Sequence, residues 1–317
     1  MNFLIDHILI IIIALAIDLT VGDPSEKLDR FYPVVWISRL MYFFDRRTKR
    51  GDPKKERMLG VVYPLLILTI FVSPCLLLFR AHSDLVYIVV GALVFKMTFT
   101  IKGLERFGRD AMAAADLEAK RAAVGKIVSR DVKASDRVHL DSATIESVAE
   151  NLTDSVIAPF FYFALFGVCG AMGYRVFNTL DAVVGYKTEK YLHFGRFSAK
   201  TDDVLSYLPE RIAATLILLM TPSNWREFRA VNVPKGVHLT IAAMSLALRV
   251  KLEKEGHYVV GGQFEPASDE HIESAIRVME LSSILFAFVC LAVLLLLYFY
   301  SLNRFTIFTA ASTALFA

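Results

Sequence analysis

Ala149-Glu150-Asn151-Leu152-Thr153-Asp154-Ser155-Val156-Ile157-Ala158-Pro159 carries a row of acids straight into an uncharged apolar segment. With the preceding Glu146, the stretch sets Glu146, Glu150 and Asp154 at i, i+4 and i+8. On a helix these carboxylates share one face, where like charges four residues apart repel. A cation among them relieves that repulsion, so the stretch points to a metal-dependent site at a membrane surface. A solvated acidic helix face has the same spacing, and spacing alone does not choose between the two.

The apolar half of the stretch belongs to a wider pattern. Hydrophobic residues make up 55% of the 317-residue chain, and the mean hydropathy is +0.49. They are clustered in segments 3–21, 59–79, 85–101, 156–174, 212–221 and 281–302. Segments 59–79, 156–174 and 281–302 contain no charge, and 85–101 carries only Lys96. A helix crosses the bilayer core with about 20 apolar residues, so the expected fold is all-α, a polytopic helical membrane protein. Residues 1–317 form one integral-membrane domain, with polar loops at 102–155, 175–211 and 222–280 assembling the site. The first segment lacks a basic n-region and a small-residue cleavage site, and it reads as a retained span.

Three function classes lose support from composition. Cys75, Cys169 and Cys290 form no CxxC pair, which argues against a zinc site or a disulfide framework. A net charge of +3 gives no support for nucleic-acid binding. Neither GxxxxGK[ST] nor GxGxxG occurs, so those phosphate-cradling loops are missing. The basic run from Arg46 to Arg57 favours the cytoplasmic side, which puts the N-terminus outside and 102–155 inside.

Local signals predict a surface helix over Ala111–Val124 and a helix capped by Asp141 or Ser142 that carries the acidic face. Pro159 marks a kink or the start of the membrane part. Residues 212–221 are too short to span alone. Val156–Tyr174 and Ile212–Thr221 therefore form a re-entrant or protein-buried hairpin; the other reading is a full crossing that leaves 178–203 outside. His238–Val250 reads as an amphipathic helix. No internal repeat of the kind transporters carry is visible.

Further polar clusters supply chemistry. Asn178 and Asp181 share a helical face, although an Asx-type turn is the likelier local reading. Asp202 and Asp203 point about 100° apart on a helix, so one can bind metal while the other orients, or Asp203 is simply an N-cap. Arg211 offers a planar fork for phosphate or carboxylate, or it snorkels. Oxygen-rich sets such as Glu150, Asp154, Asp202 and Asp203 suit Mg²⁺, which is held by one or two carboxylates plus substrate phosphates.

Taken in order, these clusters resemble one family. Asp18-Leu-Thr-Val-Gly-Asp-Pro24, Tyr32-Pro-Val-Val-Trp36, Ser129-Arg130-Asp131, Ile145 to Asp154, Ala158-Pro-Phe-Phe-Tyr162, Tyr174 to Asp181, Gly185-Tyr-Lys187 and Asp202 to Arg211 resemble the adenosylcobinamide-phosphate synthases of the CobD/CbiB type. The match covers nearly the whole chain. It departs from the family pattern at Ser129, Ser155, Ala182, Ser206 and the segment Val231–Gly236.

The resemblance implies an ATP- and Mg²⁺-dependent ligase of cobalamin biosynthesis. It joins a propionate of adenosylcobyric acid, a corrinoid, to aminopropanol or its phosphate as an amide. It implies catalytic roles for Glu146, Asn151, Asn178 and Asp181, with Glu146 or Asp181 as base. Arg130, Lys187 and Arg211 would then hold phosphates, and Glu150, Asp154, Asp202 and Asp203 the metal. It also implies a cell-membrane location with cytoplasmic site loops, the bilayer and other cobalamin-pathway enzymes being partners. A membrane Mg²⁺-dependent phosphotransferase is the rival enzyme, against which the lack of a DxxDG…GxxxD pattern counts. A non-catalytic scaffold or transporter of the corrinoid pathway is the other alternative.

Overall fold

A computed structural model describes residues 3–23, 30–80, 83–128, 130–221, 225–231 and 233–315, with side chains omitted at 225, 229, 230 and 303–315. Pro24, Ser129 and Asn232, each part of a quoted motif, lie outside the described residues. The helices are α1 (Phe3–Thr20), α2 (Pro33–Arg47), α3 (Pro53–Leu78), α4 (Asp84–Lys96), α5 (Lys102–Met112), α6 (Leu117–Val124) and α7 (Arg137–Leu152). After a π-turn, Thr153–Ile157, come α8 (Ala158–Val184), α9 (Arg196–Leu219), α10 (Trp225–Ala230), α11 (Leu239–Leu248) and α12 (Asp269–Leu315). The all-α expectation holds except for a small sheet of order β2-β1-β3, with β1 at Val250–Lys254, β2 at Tyr258–Val260 and β3 at Glu265–Pro266.

Among the described residues, four helical stretches are long and apolar enough to cross a membrane: Phe3–Thr20, Pro53–Leu78, Arg137–Val184 and Asp269–Leu302. At one end of the bundle, Phe3 meets Phe79 at 5.7 Å and Tyr87 at 6.3 Å between ring centroids. At the other end, Lys96 pairs with Asp18 at 2.9 Å and with Asp23 at 2.8 Å.

The third stretch is not one straight rod. Gly167 takes φ 61° and ψ −151° inside α8. The Tyr174 hydroxyl reaches Asp154 Oδ1 at 3.2 Å, and the Tyr162 and Tyr174 rings stack at 5.4 Å. On a straight helix, Asp154 and Tyr174 would be about 30 Å apart. The chain therefore reverses at Gly167, where a Cβ would sit 2.8 Å from His7 Nε2. The expected hairpin exists, but it closes within Val156–Tyr174 itself. Ile212–Thr221 is not its second leg; most of that segment belongs to the continuous helix α9 packed beside it.

Two prolines organise the neighbourhood. Pro159 has no N–H, so the carbonyl of Ser155 loses its helical partner; it accepts from Thr100 N at 3.0 Å instead. Pro209 likewise frees Leu205 O, which accepts from the Tyr162 hydroxyl at 2.9 Å. Each missing helical bond is thereby turned into a tie between elements, as buried carbonyls require.

Three further expectations are corrected. Ala111–Val124 is two helices, because Asp116 caps α6 by accepting from Ala119 N at 2.8 Å. Helix α7 starts earlier than expected, with Asp136 as N-cap accepting from His139 N at 2.9 Å. Asp141 lies inside α7, paired with the buried ammonium of Lys120, and Asp203 lies inside α9. Helix α11 is also buried along most of its length rather than amphipathic.

Candidate active site

The reversal at Gly167 brings α7 and the C-terminal leg of α8 to one place. Between them lies a half-open cavity of about 360 Å³, lined by Arg130, Glu146, Glu150, Asn151, Asp154, Asn178, Asp181, Lys254 and Tyr258 among others. The sheet covers one side. Glu253 N donates to Ser142 Oγ at 2.7 Å, which seats β1 on α7. The β1–β2 hairpin then carries Tyr258, whose hydroxyl donates to Glu146 Oε2 at 3.0 Å.

Glu146 is buried and fully engaged. Ser142 Oγ donates to its Oε1 at 2.8 Å, and Arg130 Nη1 lies 3.3 Å from its Oε2. Burial, then the charge of Glu146, push the Tyr258 hydroxyl well above its ordinary value, so it stays a donor. Asn151 is held locally, donating to Ser147 O at 2.9 Å and accepting from Ser155 Oγ at 3.2 Å. Asn178 Oδ1 accepts from Arg175 Nη1 at 3.0 Å, while Arg175 Nε is committed to Thr98 O at 2.8 Å.

Behind the cavity wall the acids crowd further. Burial, then Asp154 and Asp181, push the carboxyl of Asp202 up to about 8, and its Oδ1 is buried with no hydrogen-bond partner. His238, at the start of α11, lies 3.4 Å from both Glu150 and Glu210. Burial would lower its pKa, but Glu150, Asp154, Glu210 and Asp202 outweigh that and raise it. Those four carboxylates thus favour the protonated form of the His238 imidazole. Its motif-free position gave the sequence no signal of this role, and only the packing of α11 on α7 and α9 reveals it.

The structure brings most of the expected residues together and disperses a few. Arg130, Glu146, Glu150, Asn151, Asp154, Asn178 and Asp181 line one cavity. Asp202 faces that acid group, whereas Asp203 and Lys187 line a second cavity next to it, in keeping with the angle between successive residues on α9. Arg211 lines neither; its guanidinium lies 3.4 Å over the Tyr207 ring and donates to Tyr207 O at 2.7 Å. Among the described residues, no group of three His, Cys, Asp or Glu side chains has the closeness of a metal cage. An Mg²⁺ site of one or two carboxylates completed by water and phosphate needs no such cage. The orphaned Asp202 oxygen and the surplus of acids fit a cation of that kind.

A helical membrane protein with an acid-rich cavity at one end of its bundle is the class that fold and site define. The chain belongs to the CobD/CbiB family of cobalamin-biosynthesis proteins, whose family model, CobD/Cbib protein, matches residues 11–279. It is 42% identical over 271 residues to the probable cobalamin biosynthesis protein CobD of Thermococcus kodakarensis, covering 84% of this chain and 89% of that protein. The Pyrococcus furiosus protein of the same description is 38% identical over 268 residues, 84% of this chain and 91% of the relative. The cobalamin biosynthesis protein CobD of Dehalococcoides mccartyi is 33% identical over 286 residues, 85% and 91% of the two chains. No solved structure matches the chain.

Proposed function

We propose that the protein is an adenosylcobinamide-phosphate synthase, an acid–amine ligase that joins adenosylcobyric acid to aminopropanol phosphate in an ATP- and Mg²⁺-dependent reaction. The observation that carries this reading is the acid-lined cavity built from α7, the returning leg of α8 and the β1–β2 hairpin. At about 360 Å³ it is near the small end of ligand sites. The corrin ring therefore stays at the mouth, and only the reacting propionate arm enters.

A carboxylate does not condense with an amine in water, so it is first activated. The propionate oxygen attacks the γ-phosphorus of ATP, ADP leaves, and an acyl phosphate forms. The amine then attacks the acyl carbon, phosphate leaves, and the amine proton passes to a base. Asp181 suits that role better than Glu146, because Ser142, Tyr258 and Arg130 already occupy both Glu146 oxygens. Glu146 orients Arg130 towards phosphate. Asn151 and Asn178 present polar groups to the substrate arm. Glu150, Asp154 and Asp202, with Asp203 at the boundary, would hold Mg²⁺, which supplies charge neutralisation for the phosphates when bound. Arg211, stacked on Tyr207, takes part only if α9 moves.

The site sits at the same end as the basic α2–α3 connection: Lys190 Nζ is 2.7 Å from Asp45 Oδ2. Positive charge favours the cytoplasm, so this end faces ATP. The test is detergent-purified protein with adenosylcobyric acid, aminopropanol phosphate, ATP and Mg²⁺, read by mass spectrometry. An amide-linked corrinoid that requires both ATP and Mg²⁺ is expected. Absence of product from folded protein would overturn the ligase reading in favour of a non-catalytic role.

A further inference from the structure

Beside the acid cavity lies a second one, of about 420 Å³, and the two share Gly185 and Tyr186 as a common wall. Their charges are opposite. The first is lined by Glu146, Glu150, Asp154 and Asp181 against Arg130 and Lys254. The second is lined by Lys187, His193, Arg196 and Lys200 against Asp203 alone. Arg57 adds to it, with Nη2 3.5 Å from His193 Nδ1.

The cations of this second cavity are not consumed by the fold. Neighbouring Lys190 is paired with Asp45, and Arg50 with Asp45 and Glu56. The side chains of Lys187, Arg196 and Lys200 have no hydrogen bond or ion pair among the described residues. They are also held in a concave frame rather than scattered. The 188–195 turn is pinned to α3 where Gly60 admits the Phe194 carbonyl, which would be 2.1 Å from a Cβ at that position. The Arg50 guanidinium packs 4.3 Å from the Phe194 ring centre. A fixed concavity of one sign concentrates ligands of the other sign.

We infer that this second cavity is a phosphate-ester subsite, in which Lys187, Arg196 and Lys200 hold the dianion of a phosphorylated co-substrate beside the acid cavity. Phosphate is the fitting class because three separate cations with many donors match its three or more acceptor oxygens. An anion also finds less repulsion here than among the four acids next door. Tyr186, which also lines the cavity, offers its ring face and hydroxyl to the rest of such a molecule, whereas the Tyr191 hydroxyl is committed to Asp45 Oδ2 at 3.2 Å. The choice of ligands rests on the ligase reading above; the anion chemistry of the cavity does not.

Two soluble esters share this chemistry, a nucleoside triphosphate and an amino-alcohol phosphate, and anionic lipid headgroups present it too. Binding to the full-length protein in detergent would be measured by calorimetry for ATP, for aminopropanol phosphate and for inorganic phosphate, each in EDTA. Nanodiscs of anionic and of zwitterionic lipid form the lipid arm. Arg196→Ala and Lys200→Ala are each expected to weaken one soluble ester about tenfold, the effect of losing one charged hydrogen bond. Lys200→Arg should restore most of it. Whichever ester loses affinity is the occupant.

Unchanged affinity for both esters in the Arg196→Ala/Lys200→Ala double variant, or ester binding that vanishes in EDTA, would overturn the inference. So would an effect confined to anionic nanodiscs. Its failure is separable from that of the ligase reading. Product formation with a wild-type KM in the double variant sinks the subsite and leaves the ligase. Ester binding in EDTA that is lost in the double variant, with no amide product from the wild type, leaves the subsite and sinks the ligase.

Discussion

Two groups of carboxylates lie near the same end of this molecule and are treated in opposite ways. At the end of α1, Asp18 Oδ2 accepts from Ile101 N and Lys102 N, both at 3.1 Å, and its Oδ1 meets Lys96. Asp23 shares that lysine and accepts from Thr100 Oγ1 at 2.6 Å. Every acid there has an internal partner. Around α7–α9, Glu150, Asp154, Asp181 and Asp202 crowd together; His238 lies 3.4 Å from Glu150 and the Tyr174 hydroxyl reaches Asp154 at 3.2 Å, but one Asp202 oxygen is buried with no hydrogen-bond partner. Acids matched inside the protein hold it together. Acids in excess of their internal partners are what the proposed metal site would draw on.

Mutations that remove one partner should separate the two groups most sharply. Lys96→Met strands Asp18 and Asp23 without their buried cation. Loss of about 3–5 kcal/mol is expected, read as a lower unfolding midpoint in detergent. A midpoint within a degree of wild type would show that the α1 group is no more matched than the other.

The reversal that builds the unmatched group comes next. Gly167→Ala forces an L-residue into φ 61° and drives a Cβ against His7, so about 1–3 kcal/mol of strain is expected. Because it displaces one leg of the hairpin, ligand affinity in the acid cavity should fall with stability. Tyr162→Phe leaves Leu205 O, already freed by Pro209, without its donor. A cost of about 1–2 kcal/mol is expected, and Pro209→Ala in the same background should recover part of it by restoring the helical bond.

Asp202→Asn removes a charge that burial and its neighbours oppose. Stability should stay level or rise by about 1 kcal/mol while amide formation is lost. A destabilised variant would mean that Asp202 is matched after all.

The smallest effect lies outside both groups. His139 N, donating to Asp136, leads the interactions that hold this carboxyl below its ordinary 3.8. A lowered native pKa stabilises the folded state fully above the unfolded value and loses that contribution as pH falls through the native one. Asp136→Ala should therefore cost about 1 kcal/mol at neutral pH and nothing in strong acid.

Much of the site was legible because its residues obey short-range rules. The spacing of Glu146, Glu150 and Asp154 places them on one face, and all three line the cavity as that spacing requires. The 100° step from Asp202 to Asp203 also survives as two side chains facing different spaces. The start of α7 was misplaced because Asp141 has the chemistry of a cap. Its actual role depends on Lys120 from α6, a contact that no local rule encodes.

The sequence by itself determined the helical membrane class, the family and the acidic face of α7. Hydropathy, motif order and helical period act within a few turns of chain. Tertiary structure alone decided that the chain doubles back at Gly167 and that His238 enters the acid group. It also decided that Lys187, Arg196 and Lys200 form a cavity of their own. A reversal needs one residue able to adopt positive φ, but which glycine does so depends on what packs there. At Gly167 the approach of His7 leaves no room for a side chain.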